Sequence, residues 1–241
     1  MNSVSSPTSS SLDIHSVRVW DLPTRVFHWL LVVLIIALIV TGHEGGEWMT
    51  WHARCGYAVF TLLLFRLAWG VVGGHHSRFA HFLPTTASLR NALGRAWRGP
   101  YQASVGHNPM GALSVLAMLL VLTLQVASGL VSDDEIAFSG PLSAQVSTGW
   151  VSLATWYHKA VGKRLLIGLV VLHVLAIVYH RYRHGERLVN AMVHGDKALS
   201  PTQTAETPIS RDGWRERGFA LLLLMVCGLL VASVVQWGSG A

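Results

Sequence analysis

Five long apolar segments constrain the fold of this chain more than any other feature. They cover residues 26–42, 55–74, 110–131, 160–180 and 217–237. Each approaches the length of about 20 residues that a helix needs to cross a bilayer, and open-ended strands cannot satisfy their backbone groups in lipid. A charged fraction of only 12% agrees with extensive membrane embedding. The sequence therefore predicts an all-α integral membrane protein, with a four-helix transmembrane bundle and one additional C-terminal transmembrane helix.

The polar segments divide the chain into four parts. Residues 1–16, rich in serine, are predicted to form a disordered cytoplasmic tail. Residues 17–196 contain the four-helix domain, residues 197–216 form a polar cytoplasmic linker, and residues 217–237 form the fifth transmembrane helix. Residues 132–156 are predicted to be an outer loop with a short interfacial element.

The placement of charge predicts the orientation in the membrane. Cationic residues concentrate before the first span, between the second and third spans, and around residues 181–217, whereas residues 44–47 and 133–135 are acidic. By the positive-inside rule the N-terminus is predicted to be cytoplasmic and the C-terminus to lie on the outer side of the membrane. The net charge of +6 is thereby explained without nucleic acid as a partner.

Four of the 13 histidines stand at matched depths in the predicted helices. His28 and His173 share the cytoplasmic half, and His52 and His158 share the outer half. His158 and His173 are 15 residues apart, which in an α-helix corresponds to about 60° in azimuth and about 22 Å along the axis. Both can therefore face the interior of one bundle. Two facing pairs at two depths are what two bis-histidine haems require.

The outer pair carries a repeated local pattern, WHARCGY and YHKAVGK. Gly56 and Gly162 each follow the histidine by four residues, on the same helix face, and leave room for a flat ring to approach. Arg54, Lys159 and Lys163 lie close to these histidines in sequence. They are candidates to pair with haem propionates at the membrane edge. The alternative is that they extend to lipid headgroups.

Two further residues leave alternatives open around the histidine pairs. Arg25 lies one turn before His28 and can either hold a propionate or extend to a headgroup. His43 lies 15 residues after His28, close to the outer surface, and can replace His52 as an outer ligand. It has no glycine four residues later.

Two cysteines and one arginine also lie within the predicted spans. Cys55 and Cys227 lie inside predicted helices, and the c-type attachment pattern C-x-x-C-H is absent, so any haem is held non-covalently. Arg66 lies toward the cytoplasmic half of the second span, where it extends to the interface or pairs with a carboxylate.

Start signals precede two of the helices. Asp21 and Pro23 are suited to beginning the first helix, and Asn108 and Pro109 to beginning the third. His107 is assigned to the N-terminal region of that third helix, which itself contains no histidine.

Several motifs resemble those of the bacterial cytochrome b561 family, in the branch of the b-type cytochrome subunit of nickel-iron hydrogenases. They are WDLPTRVFHW, HARCGY, FRLAWGVVGGHHSRF, and YHKAVGK followed by LIGLVVLHV. The resemblance covers about residues 17–196. It implies a four-helix membrane bundle with two b-type haems and axial histidines at His28, His52, His158 and His173. It also implies electron exchange between a quinone pool and a partner protein at the membrane surface.

The leading hypothesis is a dihaem cytochrome b that transfers electrons across the inner membrane. Its partners are a quinone and a periplasmic redox protein, such as a c-type cytochrome or a hydrogenase, and homo-oligomers are compatible with it. An electron-transfer subunit is favoured over a stand-alone oxidoreductase. The first alternative is a superoxide:quinone oxidoreductase without a partner, which needs a cationic outer edge. The second is a histidine-based metal or proton transporter, disfavoured because the spans contain almost no carboxylates.

Overall fold

A computed structural model describes residues 15–98, 104–136, 138–199, 204 and 207–240. It contains five helices long and apolar enough to cross a membrane, which confirms the predicted all-α membrane class. In chain order the elements are β1 (His15–Arg18), α1 (Leu22–Glu44), α2 (Trp48–Val72), α3 (Phe79–Phe82), α4 (Thr86–Arg98), α5 (Pro109–Val131), α6 (Thr148–Trp156), a π-helical turn (Tyr157–Gly162), α7 (Lys163–His184), α8 (Leu188–His194), β2 (Asp196–Leu199) and α9 (Trp214–Ser239).

The predicted start signals cap α1 and α5. The side chain of Asp21 accepts a hydrogen bond from the backbone nitrogen of Thr24 at 2.8 Å. Asn108 accepts one from the backbone nitrogen of Gly111 at 2.6 Å. Each cap satisfies a backbone donor that a helix start leaves unpaired, and a proline follows in the first turn of each helix. Local sequence therefore determines where these two helices begin.

The fourth span is longer than predicted. One continuous helix of 37 residues covers Thr148–His184, so the prediction of an outer loop over residues 132–156 was wrong from Thr148 onward. Such a helix is about 55 Å long and extends beyond a hydrocarbon core of about 30 Å. Hydropathy detects only the lipid-embedded part. The π-helical turn at Tyr157–Gly162 lies inside this helix. Irregular turns of this type are frequent at functional sites.

A small sheet joins the two polar ends of the core domain. β1 and β2 pair antiparallel, with His15 opposite Leu199 and Arg18 opposite Asp196. This corrects the limit of the predicted disordered tail, which reached residue 16; residues 1–14 lie outside the described part. It also shortens the linker predicted over 197–216, since β2 occupies its start and α9 its end. Burial of Val17 and Leu199 supplies the driving force for these short strands.

Helix α2 is central to the bundle. It packs against α1, α5 and α9, and its residues Val59 and Leu62 share one apolar cluster with Phe27, Leu122 and Cys227. The fifth spanning helix, α9, therefore packs mainly on α2, whereas α7 packs mainly on α5.

The buried carboxylate of Asp212 fastens the start of α9 to the N-terminal segment. It accepts hydrogen bonds from Arg18 Nη1 at 2.5 Å, from the backbone nitrogen of Leu22 at 3.1 Å and from Arg217 Nε at 3.1 Å. Arg25 Nη2 lies 3.7 Å away. Burial alone would raise the pKa of Asp212, but the hydrogen bonds from Arg217, Leu22 and Arg18 together hold it below the ordinary carboxyl value.

Replacing Asp212 by asparagine is expected to destabilise the protein in a pH-dependent way. Because the pKa of Asp212 is lowered by folding, its stabilising contribution is present at neutral pH and is lost as the pH falls through the folded value, below about 3.9. D212N should cost about 1–2 kcal/mol at pH 7, through the charged hydrogen bonds to Arg18 and Leu22. Thermal unfolding in detergent as a function of pH measures this.

Glu47→Gln is the matched control, because Glu47 is exposed and its side chain makes no capping hydrogen bond. The control should unfold like the wild type. A stability difference between D212N and the wild type that is the same at pH 7 and pH 3 would contradict the assigned role.

Candidate functional site

The N-terminal end of α1 faces α7 through one histidine pair, which we call the inner pair. The ring centroids of His28 and His173 are 6.5 Å apart, with 54° between the ring planes. His28 Nδ1 is buried and has no hydrogen-bond partner within residues 15–98, 104–136, 138–199, 204 and 207–240. The structure thus brings together two residues that are 145 positions apart in the sequence.

A second pair, the outer pair, lies at the opposite end of α1. The centroids of His52, from α2, and His158, from the π-helical turn, are 6.0 Å apart, with 83° between the planes. His43 is exposed in the last turn of α1, and the ring opposite His158 is that of His52.

The spacing within both pairs fits a metal ion between two imidazoles. A metal–imidazole bond is about 2.0–2.1 Å long and the nitrogen lies about 1.1 Å from the ring centre, so rings on opposite sides of one metal have centroids about 6.3 Å apart. The observed separations of 6.5 and 6.0 Å lie on either side of this value.

Backbone carbonyls orient the rings of the outer pair. His52 Nδ1 lies 3.1 Å from the carbonyl oxygen of Leu38, and His158 Nδ1 lies 2.9 Å from that of Gln125. Because a carbonyl only accepts, each Nδ1 carries the proton, and the lone pair is on Nε2. This is the tautomer that ligates a metal through Nε2 and is held in orientation by its other nitrogen.

Gln125 of α5 contacts the π-helical turn in two ways. Its backbone carbonyl accepts from the ring of His158, and its side-chain nitrogen donates to the His158 carbonyl oxygen at 3.0 Å. Although α5 contributes no histidine, it positions one. The sequence predicts that Gln125 and Ser128 hydrogen-bond between helices, but it does not show that the partner of Gln125 is His158.

Two glycines that the sequence analysis did not select allow neighbouring helices to approach the rings of the outer pair. A Cβ atom on Gly42 would lie 2.9 Å from His52 Cε1, and one on Gly129 would lie 2.8 Å from His158 Cε1. Real Cβ contacts essentially never fall below 3.0 Å, so a side chain at either position would force the histidine ring or the helix to shift. Each glycine is on the helix opposite its histidine, so no spacing within one helix reveals it.

The two glycines selected from the sequence lie in different surroundings. A Cβ on Gly56, one turn after His52, would meet nothing within 4 Å, so there is open space at Gly56. Gly162 is buried, and a Cβ there would overlap Gln125 Oε1. In this structure Gly162 allows α5 to pack closely, whereas Gly56 leaves room for a further group.

The candidate cations are divided between the two ends. Arg54 is exposed and its guanidinium lies 5.0 Å from the centre of the Trp51 ring. Lys159 and Lys163 are also exposed, near His158. Arg25 donates from Nη1 to the carbonyl oxygen of Val193 at 2.7 Å and lies near Asp212, so much of its hydrogen-bonding capacity is already used.

Five spanning helices with a facing histidine pair toward each end define a membrane protein suited to holding flat, metal-containing cofactors. The family model described as prokaryotic cytochrome b561 matches residues 19–195, and the chain belongs to this family. It is therefore a multi-pass membrane b-type cytochrome of electron transfer, with b-type haem as its cofactor. The resemblance seen in the sequence is confirmed.

Relatives with similar sequences carry consistent names. A probable Ni/Fe-hydrogenase B-type cytochrome subunit of Bradyrhizobium diazoefficiens is 26% identical, over 76% of this chain and 86% of its own length. A protein of the same name from Azotobacter vinelandii is 25% identical, over 75% and 88%. The probable Ni/Fe-hydrogenase 1 B-type cytochrome subunit of Escherichia coli K12 is 22% identical, over 76% and 91%. No solved structure matches the chain.

Gly42→Ala is expected to lower the haem content, because the new methyl group would lie 2.9 Å from His52 Cε1 and displace that ring. Changes in the surroundings of a metal ligand typically weaken affinity by about 10–100-fold. The pyridine haemochrome assay on purified protein measures the haem content. Gly149→Ala is the control, since a Cβ there meets nothing within 4 Å. Full haem content in G42A would show that the ring position tolerates displacement.

Proposed function

We propose that His28 and His173 ligate one b-type haem and that His52 and His158 ligate a second, both non-covalently. The observation that carries this proposal is the spacing of the two pairs, 6.5 and 6.0 Å between ring centroids. When bound, the haems supply reversible one-electron oxidation and reduction. Two histidines per iron leave no open coordination position, which favours electron transfer over oxygen chemistry.

The protein supplies the ligands through histidine side chains and orients them through backbone carbonyls. At the outer site, the carbonyls of Leu38 and Gln125 hold the two rings with Nε2 available. Gly56, one turn after His52, leaves open space for a further group. The inner and outer pairs lie toward opposite ends of α1. Two haems at these positions would divide the path of an electron across a hydrocarbon core of about 30 Å into shorter transfers.

We further propose that exposed cations pair with the propionates of the outer haem. Arg54, Lys159 and Lys163 flank the outer pair without a salt bridge in the described part of the chain. A charge-assisted hydrogen bond to a carboxylate is stronger than a neutral one. Arg25 is the corresponding candidate at the inner end, through its unpartnered Nε.

The proposed physiological role is electron transfer across the bacterial inner membrane, between a quinone pool and a periplasmic redox partner. The names of the relatives support a hydrogenase as that partner. A c-type cytochrome, which also exchanges single electrons, is the alternative partner. The charge distribution supports a cytoplasmic N-terminus and a periplasmic C-terminus. α9 extends beyond the region shared with the family and packs on α2, so it leaves α7 accessible.

Haem stoichiometry and ligand removal test the proposed sites. Purified protein should show a b-type reduced-minus-oxidised spectrum and about two haems per chain by pyridine haemochrome. His28→Ala and His52→Ala should each remove one haem, with different spectral components lost, because each removes one axial ligand of a different site.

His43→Ala provides the matched control, since His43 is an exposed histidine close to the outer pair. H43A should retain both haems. A haem-free wild type would refute both sites, and loss of the outer haem in H43A with its retention in H52A would reassign the ligand.

The source of electrons distinguishes the proposed role from the superoxide-linked alternative. A quinol analogue should reduce the haems of the purified protein, and re-oxidation should require a protein partner such as a hydrogenase or a c-type cytochrome. Rapid haem reduction by superoxide, with no reaction with any such partner, would instead favour the stand-alone oxidoreductase. Stopped-flow absorbance in the haem bands measures both reactions.

A further inference from the structure

Arg66 is a buried cation that has no direct ion-pair partner among the residues that the structure describes. It lies in α2, six residues before the helix end, and is 3% exposed. Its guanidinium carbon is 4.8 Å from the centre of the Phe79 ring and 5.9 Å from that of Phe82. Nη1 has no hydrogen-bond partner, and no salt bridge reaches Arg66 from the described residues. Burying a charge in this way is costly unless an opposite charge accompanies it.

The nearby carboxylate of Asp21 does not fill this role by contact. Asp21 is fully buried and already accepts hydrogen bonds from Trp69 Nε1 at 3.3 Å, the backbone nitrogen of Gly74 at 3.2 Å and Ser77 Oγ at 2.7 Å. Its charge acts on Arg66 only through space. The Nη1 donor therefore remains available for another acceptor.

His107 presents a second unpartnered nitrogen in the same region. Its ring packs against Phe82, with centroids 4.6 Å apart, and against Trp20 at 4.7 Å. Phe82 thus contacts both His107 and Arg66. Burial, followed by the positive charge of Arg66, lowers the pKa of His107 to about 3, with weaker effects from His76 and His173. At neutral pH His107 is uncharged and able to donate one hydrogen bond.

These groups surround the end of the bundle that contains the inner pair. Four nitrogen atoms here are buried and have no hydrogen-bond partner in the described part of the chain: Arg66 Nη1, His107 Nδ1, Arg25 Nε and His28 Nδ1. His107 also lies within electrostatic reach of His173. Buried polar groups are normally satisfied, so these atoms have room for a partner that the described protein atoms do not supply. The positive charge of Arg66 favours an anion as that partner. A haem held by the inner pair brings two carboxylates to its edge.

We propose that Arg66, assisted by His107, binds a propionate carboxylate of the inner haem. The proposal rests on the function proposed above and adds a binding residue to it. Arg25, which already contacts Val193 and approaches Asp212, is a secondary partner. A guanidinium and a carboxylate form a strong charge-assisted hydrogen bond when buried together, and the bond removes the cost of both lone charges.

The reduction potential of the inner haem provides the readout. Reduction adds one negative charge to the haem, and a fixed cation beside its propionate favours the reduced form. Arg66→Gln removes that cation while keeping a hydrogen-bond donor. At a fixed potential the ratio of reduced to oxidised inner haem should fall about tenfold, which for a one-electron couple corresponds to about 59 mV. The outer haem should titrate as in the wild type.

Two variants separate this role from a structural one. Arg66→Lys keeps the charge and should retain most of the wild-type potential. Arg211→Gln removes an exposed cation and should change neither haem. Redox titration of the full-length protein in detergent, followed in the visible bands, compares all three. The component lost in H28A identifies the inner haem.

The outcomes distinguish this proposal from the function on which it rests. Two haems in R66Q with both potentials unchanged, or with shifts equal to those in R211Q, would overturn the proposal and leave the dihaem function intact. A wild type without haem would overturn both. If R66Q does not accumulate, an experimental map of the haem-loaded wild type decides. A propionate oxygen within about 3.5 Å of Arg66 Nη1 supports the proposal, and propionates directed elsewhere refute it.

Discussion

The buried carboxylate of Asp21 determines how α1 and α2 meet, and the positions of the functional residues depend on it. One side chain caps α1 and accepts hydrogen bonds from Trp69 at the end of α2 and from Gly74 and Ser77 just beyond it. These bonds fix the axial register of the two helices. A shift of α1 along α2 by one turn would move residues by about 5.4 Å, and the pair that contains a histidine of the shifted helix would lose its present spacing.

Helix class and the two histidine pairs could be predicted from sequence because both depend on depth along a helix, which residue numbers measure directly. The contacts around the outer rings could not, although an interhelical hydrogen bond by Gln125 was predicted. Gly42 and Gly129 act on histidines of other helices, and Gln125 acts on a carbonyl that the π-helical turn presents. Contacts of this kind depend on how helices face one another, and a single sequence does not contain that information. Local spacing instead selected Gly162, whose neighbour in the structure is Gln125.

The same reasoning explains where the element boundaries in the structure differ from those predicted from the sequence. The helix that begins at Thr148 extends beyond its lipid-embedded part, and hydropathy does not detect polar helical turns outside the bilayer. The pairing of β1 with β2 joins segments almost 180 residues apart and involves four residues in each strand. Arg66 was recognised as a charged residue in a span, but its lack of a salt-bridge partner is a property of the folded environment.

The helix packing also has a consequence for how the two sides of the bundle are joined. α1 and α9 pack on α2, while α7 packs mainly on α5, and the contact between α2 and α5 links these two groups of helices. Each histidine pair takes one ring from α1 or α2 and the other from α7 or the π-helical turn. A haem ligated as proposed would therefore join the two groups at each end of the bundle.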